Sequence, residues 1–162
     1  LSIRRQRQMC IRDRLSSSSP YKDKQPTDGR ILEPVEFDEY DATPSAKFRV
    51  TPADIQEYAQ ASGDKNPIHV SSVGAKAFGF PAVIAHGMWS AATMLRGLEG
   101  LLPSAARFSV EFAKPVTLPT TVAFFAEAAG DKAYPRPSEW DLQLRKASNL
   151  KTLHAVGKVE RI

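Results

Sequence analysis

The sequence predicts an α+β domain in which an antiparallel sheet curls around one buried helix. Apolar residues recur at helical spacing up to Leu102 and alternate with a period of two after Pro103. Ala, Met and Leu dominate Gly87 to Leu102, which is typical of a helix covered on most sides. Helices followed by strands are the order expected of an α+β fold. A chain of 162 residues, 42% of them apolar, is long enough for one such core.

The first predicted helix begins at Thr51-Pro52-Ala53-Asp54. Threonine is a good N-cap, proline suits the first helical position, and a carboxylate three residues after the cap can bond back to it. Gly63 is placed to end this helix in a left-handed conformation. A second, short helix should begin at one of the two serines at 71–72 and run through Phe78. The buried helix over Gly87–Leu102 is the third.

The strands are predicted after Pro103. Pro115 and Pro119 should bracket the turn between the first two, since proline is rare inside a central strand. The expected strands lie over alternating or β-rich runs: Phe108 to Phe112, Val122 to Ala126, Trp140 to Leu144 and His154 to Val159.

Charge separates a leader from the rest of the chain. Residues 1–24 hold seven Lys/Arg and two Asp, a formal charge of +5, so the remainder of the chain, whose total is +4, carries −1. We interpret 1–24 as a disordered or non-native leader. A nucleic-acid-binding arm and an organellar transit segment are the less favoured alternatives. Residues 25–47, rich in Pro, Asp, Glu and Thr, are expected to form a linker, and 48–162 the domain. No nucleic-acid partner is expected.

Composition also restricts the compartment and the chemistry. Cys10 is the single cysteine, so no intramolecular disulfide can form, which fits the cytoplasm. No apolar run of about twenty residues is present, so we expect no membrane partner. The three histidines lack metal-binding spacing, and no nucleophile elbow, phosphate loop or dinucleotide fingerprint occurs. We therefore predict no metal and no organic cofactor.

The most informative segment is Gly63-Asp64-Lys65-Asn66-Pro67-Ile68-His69. Pro67 fixes its own φ and restricts Asn66, so the loop between Asp64 and His69 is stiff. A carboxylate and an imidazole held in this way can bind and activate a water by general acid–base catalysis. The alternative is that Asp64 satisfies loop amides and His69 packs in the core. Which group would move which proton stays open.

A second group of candidates surrounds the start of the buried helix. Gly87 has no side chain, so a ligand carbonyl can approach its backbone N–H at the positive helix end, although it could also be an ordinary helix glycine. His86 is interpreted as a residue that is hydrogen-bonded to the loop rather than as a second base. Phe80 and Met88 are candidates for an acyl pocket, and core packing is the alternative for both.

Three segments together resemble the MaoC-like dehydratases, the R-specific enoyl-thioester hydratases of the hot-dog fold: 63–69, Ala77-Phe78-Gly79-Phe80-Pro81 and Ala85-His86-Gly87-Met88. Phe112-Ala113-Lys114-Pro115-Val116 is similar to the strand after their central helix. The likeness runs from about Phe48 to the C-terminus.

The resemblance implies a hot-dog domain and a hydro-lyase of fatty acid metabolism. Its substrate would be an acyl-CoA or acyl-carrier-protein thioester that enters between two paired units, such as a homodimer. Asp64, His69 and Gly87 would be catalytic, with Asn66 and Pro67 orienting the site.

The sequence departs from this pattern in two ways. Some members have a serine eight residues beyond the glycine that matches Gly87, and here that position is Leu95. Other members fuse two hot-dog units, and the context of His86 resembles the second, active unit. The alternatives to a hydratase are a non-catalytic subunit that binds acyl thioesters or pairs with an active unit, and, less favoured, a thioesterase.

Overall fold

The computed structural model describes residues 43–129 and 137–162. The predicted leader 1–24, with Cys10, and the linker up to residue 42 lie outside the described residues. The bounds 48–162 of the domain stay a prediction.

A five-stranded antiparallel sheet forms one layer of the fold, with the strand order β1-β3-β4-β5-β2. Strand β5 lies between β4 and β2, so its residue Gly157 is opposite Leu142 on one side and Val110 on the other. The strand bounds are β1 Ala46–Val50, β2 Ala106–Phe112, β3 Thr120–Ala129, β4 Glu139–Lys146 and β5 Asn149–Arg161.

Four helices are described between β1 and β2: α1 Pro52–Ser62, α2 Pro67–Val70, α3 Ser72–Ala77 and α4 Gly87–Arg96. The predicted cap of α1 is confirmed: the Thr51 hydroxyl accepts from the Asp54 backbone N–H, and the Asp54 carboxylate accepts from the Thr51 N–H at 2.7 Å. The Thr51 hydroxyl also donates to the Asp54 carboxylate at 2.7 Å, and this bond, followed by the one from the Thr51 N–H, holds the pKa of Asp54 below its usual value. Gly63 ends α1 with φ 73°, in the left-handed conformation that glycine adopts without strain.

The core lies between α4 and the concave face of the sheet. Met94 of α4 and Leu98 just after it are fully buried, and α4 contacts β4 and β5. Burial of each such side chain stabilises the fold by about 1.5–3 kcal/mol. The sheet residues of this core are Val50, Val122, Phe124, Leu142, Leu144, Ala155 and Val159.

The structure differs from the sequence prediction in three places. Strand β1 was not predicted. The segment after Asn66 forms one helical turn, α2, where a non-helical turn was expected. The buried helix ends at Arg96 instead of Leu102, and turns follow. The apolar pattern continues to Leu102 because Leu98 and Leu102 pack against the core after the helix has ended.

Within 43–129 and 137–162, no helix has the length and apolar character needed to span a membrane.

Candidate active site

His69 is held by a short helix and a backbone carbonyl. It lies in α2, which begins with Pro67 after an Asn66 N-cap whose side-chain oxygen accepts from the Ile68 N–H. The ring is buried, and its Nδ1 lies 2.8 Å from the carbonyl oxygen of Ile84. Because a carbonyl only accepts, Nδ1 must carry the proton of the neutral ring, so Nε2 is the basic nitrogen.

Asp64 is half-buried in the loop between α1 and α2. One oxygen, Oδ1, accepts from the Asn66 N–H at 3.2 Å, which forms a tight turn directly before Pro67. This turn leaves Oδ2 as the carboxylate oxygen available to a substrate or a water. The Asp64 and His69 side chains are brought together as predicted, since their candidate ligand atoms and those of His86 all lie within 4.8 Å of one another.

His86 is fully buried and connects these two residues. Its Nε2 lies 2.9 Å from the Asp64 main-chain oxygen, so Nε2–H donates to the loop, as the sequence predicted. Its ring also stacks on His69, with centroids 3.8 Å apart and planes inclined by 26°. This ring contact between two histidines was not predicted.

Tyr58 of α1 is a residue of the candidate site that was not predicted. Its ring lies against His86, with centroids 5.0 Å apart. Burial, and then the negative charge of Asp64, raise the pKa of Tyr58 above its usual value of 10.0, so the phenol stays protonated. Tyr58 lies in the helix that ends at Gly63, directly before Asp64, and this short separation in the sequence was a signal for its nearness to the site.

Gly87 is the first residue of α4 and directly follows His86. His86 occupies the N-cap but makes no side-chain cap hydrogen bond, because its ring is turned to the Asp64 loop. A Cβ at position 87 would lie 3.3 Å from the Phe112 ring, so the space beside this amide is already narrow. The uncapped N–H groups at the positive end of α4 suit a developing oxyanion.

Gly74 of α3 packs against Pro67, the first residue of α2, and so helps to position α2. A Cβ there would lie 2.6 Å from Pro67 Cβ and 2.8 Å from the Pro67 carbonyl oxygen, so α3 packs directly on the first residue of α2. That carbonyl oxygen also accepts from the Ser71 N–H at 3.0 Å. The position of His69 therefore depends on a contact that only glycine permits.

The two candidate pocket residues lie on either side of His86 and Gly87 in the sequence. Phe80 follows α3 and is half-buried, with its N–H bonded to the Ala75 carbonyl at 3.0 Å. Met88 is half-buried in the first turn of α4, next to Gly87. Their role in binding an acyl chain stays a prediction.

The group Asp64, His69 and His86 has the ligand types of a metal site, but its geometry suits one poorly. Each histidine already uses one ring nitrogen on a carbonyl. A metal bound by both rings would have to lie in both ring planes, about 2.0–2.1 Å from each nitrogen. Rings stacked at 3.8 Å with a tilt of 26° do not have planes that meet so close. The side chains of Asp64, His69 and His86 are therefore poorly arranged to bind one metal ion together.

Comparison with known proteins gives a match to one family. The family described as "MaoC like domain" matches residues 37–145, which is more than half of the chain and includes every site residue described above.

The similar proteins include a dehydratase from Mycobacterium tuberculosis (strain ATCC 25618 / H37Rv), named 3-hydroxyacyl-thioester dehydratase X. It is 51% identical over 102 residues, which are 63% of this chain and 34% of that protein. A crystal structure of HtdX from the same species superposes with a TM-score of 0.64 and 45% identity, covering 74% of this chain and 48% of that chain.

R-hydratase PhaJ1 from Pseudomonas aeruginosa superposes with a TM-score of 0.61 at 24% identity, covering 71% of this chain and 75% of that chain, and this shows the fold alone. Together with the HtdX structure it confirms the predicted hot-dog fold. The chain spans about a third of the length of the curated dehydratase and about half of the HtdX chain.

Proposed function

The chain belongs to the MaoC-like domain family, and on that premise we propose that it catalyses the reversible hydration of trans-2-enoyl thioesters to (R)-3-hydroxyacyl thioesters. The observation that carries the proposal is the fixed tautomer of His69. Its bond to the Ile84 carbonyl leaves Nε2 as the basic nitrogen of a ring whose ligand atom lies within 4.8 Å of a ligand atom of Asp64. The 3-hydroxyacyl-thioester dehydratase named among the relatives supports the same reaction class.

The proposed reaction uses one water. Asp64 Oδ2 and His69 Nε2 each accept one of its hydrogens. His69 removes a proton as the water oxygen bonds to C3, and the electrons of the C2–C3 double bond move onto the thioester oxygen. The Gly87 N–H stabilises that oxyanion. The proton on His69 Nε2 is then delivered to C2, so oxygen and hydrogen add to the same face of the double bond.

The substrate carrier and the pairing belong to the same proposal. The thioester would be carried by coenzyme A or by an acyl carrier protein, with the acyl chain against Phe80 and Met88. We propose that the domain works as a homodimer or beside another hot-dog unit. The likeness of the His86 context to the second unit of members that fuse two hot-dog units supports this pairing.

Two conservative variants test the chemistry. Asp64→Asn keeps the Oδ1 acceptor for the Asn66 N–H, and His69→Asn keeps a donor toward the Ile84 carbonyl, yet each removes the proposed catalytic atom. We expect each to lower kcat for hydration of crotonyl-CoA by about 10²–10⁴-fold. The measurement is the loss of ultraviolet absorbance of the enoyl thioester, with circular dichroism as a check of folding.

Glu57→Gln, a carboxylate-to-amide change on the exposed side of α1, is the matched control and should leave kcat unchanged. Near-normal activity in both site variants would dispose of the mechanism. Saturable binding of enoyl-CoA without hydration, with activity recovered on adding a second hot-dog unit, would instead favour the non-catalytic pairing subunit. Release of free thiol would indicate the thioesterase. Light scattering on the same samples gives the assembly state.

A further inference from the structure

His86 lies between two rings and holds a loop at the same time. Tyr58 lies on it at 5.0 Å and His69 stacks on it at 3.8 Å, measured between ring centroids. Its Nε2–H donates to the Asp64 carbonyl at 2.9 Å. Its other nitrogen, Nδ1, is buried and has no hydrogen-bond partner. The side chain therefore contacts both proposed catalytic residues, Asp64 through its main-chain carbonyl and His69 through its ring.

The tautomer of His86 follows from its partner. A carbonyl oxygen accepts and does not donate, so the neutral ring carries its proton on Nε2 and leaves Nδ1 bare. Nδ1 has no donor opposite it, so the hydrogen bond to Asp64 gives this ring its orientation. The ring's face is then placed against His69, whose own orientation is set by the Ile84 carbonyl.

The position of His86 in the chain adds a third connection. It is the N-cap of α4, and the next residue is Gly87. Ser, Thr, Asn and Asp are preferred at an N-cap because they bond to the first helical N–H groups, and His86 makes no such bond. His86 thus contacts the Asp64 loop and the His69 ring, and it is covalently joined to Gly87, which carries the first amide of α4.

We propose that His86 is a positioning residue that sets the placement of Asp64 and His69 relative to the amide of Gly87. The hydrogen bond positions the loop and the ring face positions His69. His86 acts through these neighbours and exchanges no proton with the substrate. This inference rests on the proposed hydration for its kinetic part, and its spectroscopic part holds independently of activity.

Two substitutions separate the two contacts. His86→Gln keeps an N–H near the position of Nε2 but has no ring, so it retains the bond to the Asp64 carbonyl and loses the stack on His69. His86→Phe keeps a ring on His69 and has no N–H for the loop. Each variant should lower kcat by about 10–100-fold, because misplacement of reacting groups by about 1 Å has effects of that order. KM should stay within about threefold, since groups that bind the substrate are unchanged.

The structural readouts differ between the two variants. In His86→Phe the amide of Asn66, which bonds to Asp64 Oδ1, should exchange with solvent faster than in the wild type, while the His69 tautomer is retained. In His86→Gln the ring resonances of His69 should shift and broaden because the ring loses its stacking partner, while the Nδ1–H tautomer set by the Ile84 carbonyl is retained and the exchange of Asn66 stays slow. Glu57→Gln should change neither readout.

Wild-type kcat in either variant, or a loss confined to KM, would overturn the proposal. If neither variant folds, the ¹⁵N spectrum of the wild type decides the proposal: His86 must be protonated at Nε2 and bare at Nδ1, and the opposite tautomer overturns it. If the wild type hydrates no enoyl thioester, the proposed function fails, whereas the exchange and tautomer measurements still test the positioning of Asp64 and His69.

Discussion

At the scale of single residues, the three histidines of this chain share one hydrogen-bonding pattern. Each places one ring nitrogen within 2.8–2.9 Å of a backbone carbonyl, which fixes its tautomer. The rings of His69 and His86, each with a fixed tautomer, stack on one another. In His154 the remaining nitrogen, Nε2, is buried without a hydrogen-bond partner. The carbonyls belong, in order, to Ile84, Asp64 and Lys114.

His154 should make stability depend on pH. Burial lowers the pKa of His154 below 6.5, and the charges of Lys146 and Lys114 act in the same direction, against the backbone bonds that raise it. The unfolded chain therefore binds this proton at higher pH than the folded chain does. The stabilisation is fully present above about pH 6.5 and is lost as the pH falls through the folded pKa.

His154→Asn keeps a donor toward the Lys114 carbonyl and does not titrate in this range. Denaturant unfolding of both proteins between about pH 7.5 and about pH 5 should give a shallower fall in the free energy of unfolding for the variant. The difference in slope is at most about 1.4 kcal/mol per pH unit, the limit for one proton. Equal slopes for the two proteins would show that His154 does not contribute.

At the scale of elements, local signals predicted what local bonds determine. Thr51 with Asp54 marks the start of α1, and Gly63 marks its end, because caps and left-handed termini depend on a few adjacent residues. The end of α4 was predicted wrongly because burial continues through Leu98 beyond Arg96. Apolar spacing reports which residues are covered, and does not distinguish a helix from the turns that follow it.

The site was predicted to the same extent. The loop from Asp64 to His69 has a sequence signature because Pro67 makes it stiff locally. The stack of His69 on His86 joins residues on two separate elements, and no local signal encodes such a contact. Strand β1 was missed because it is defined by its pairing with β3, which lies far along the chain. Ala46, for example, is opposite the buried Phe124.

The contact of α3 with α2 gives a prediction at this scale. Gly74→Ala places a methyl group against Pro67, whose carbonyl is held by the Ser71 N–H, so the backbone must shift. We expect a loss of about 1–3 kcal/mol in the free energy of unfolding. We also expect a fall of about tenfold or more in kcat, because α2 carries His69. Denaturant unfolding and the hydration assay provide the two measurements.

Val73→Ala is the neighbouring control on α3. Its side chain is 76% exposed, so the change should alter the free energy of unfolding by less than about 0.5 kcal/mol and leave kcat as in the wild type. If Gly74→Ala were as harmless as this control, α2 would not depend on the packing of α3 for its position.

At the scale of the whole molecule, α4 packs on the sheet at the middle of β5. Gly157 lies between β4 and β2, and a Cβ there would lie 2.9 Å from the Met94 methyl group and 3.0 Å from the Phe108 ring. Met94 is fully buried. The absence of a side chain at 157 thus lets α4, the helix that begins at Gly87, approach the sheet.

This packing predicts a favourable coupling between two substitutions that are harmful alone. Met94→Ala should destabilise by about 2–5 kcal/mol because it leaves a cavity. Gly157→Ala should destabilise by about 1–3 kcal/mol because its methyl group meets Met94 and Phe108. In the double variant the methyl group occupies part of the space that Met94 vacates, so the loss should be smaller than the sum by about 0.5–3 kcal/mol. Denaturant unfolding of all four proteins measures this coupling.

Met94→Ala combined with Val73→Ala is the control cycle, since the exposed residue on α3 shares no space with the core. Its two effects should add within about 0.3–0.5 kcal/mol. Strict additivity for the Met94 and Gly157 pair as well would mean that the helix and the strand do not meet at this point. The approach of α4 to β5 would then have to be set elsewhere, and the placement of the Gly87 amide would not depend on Gly157.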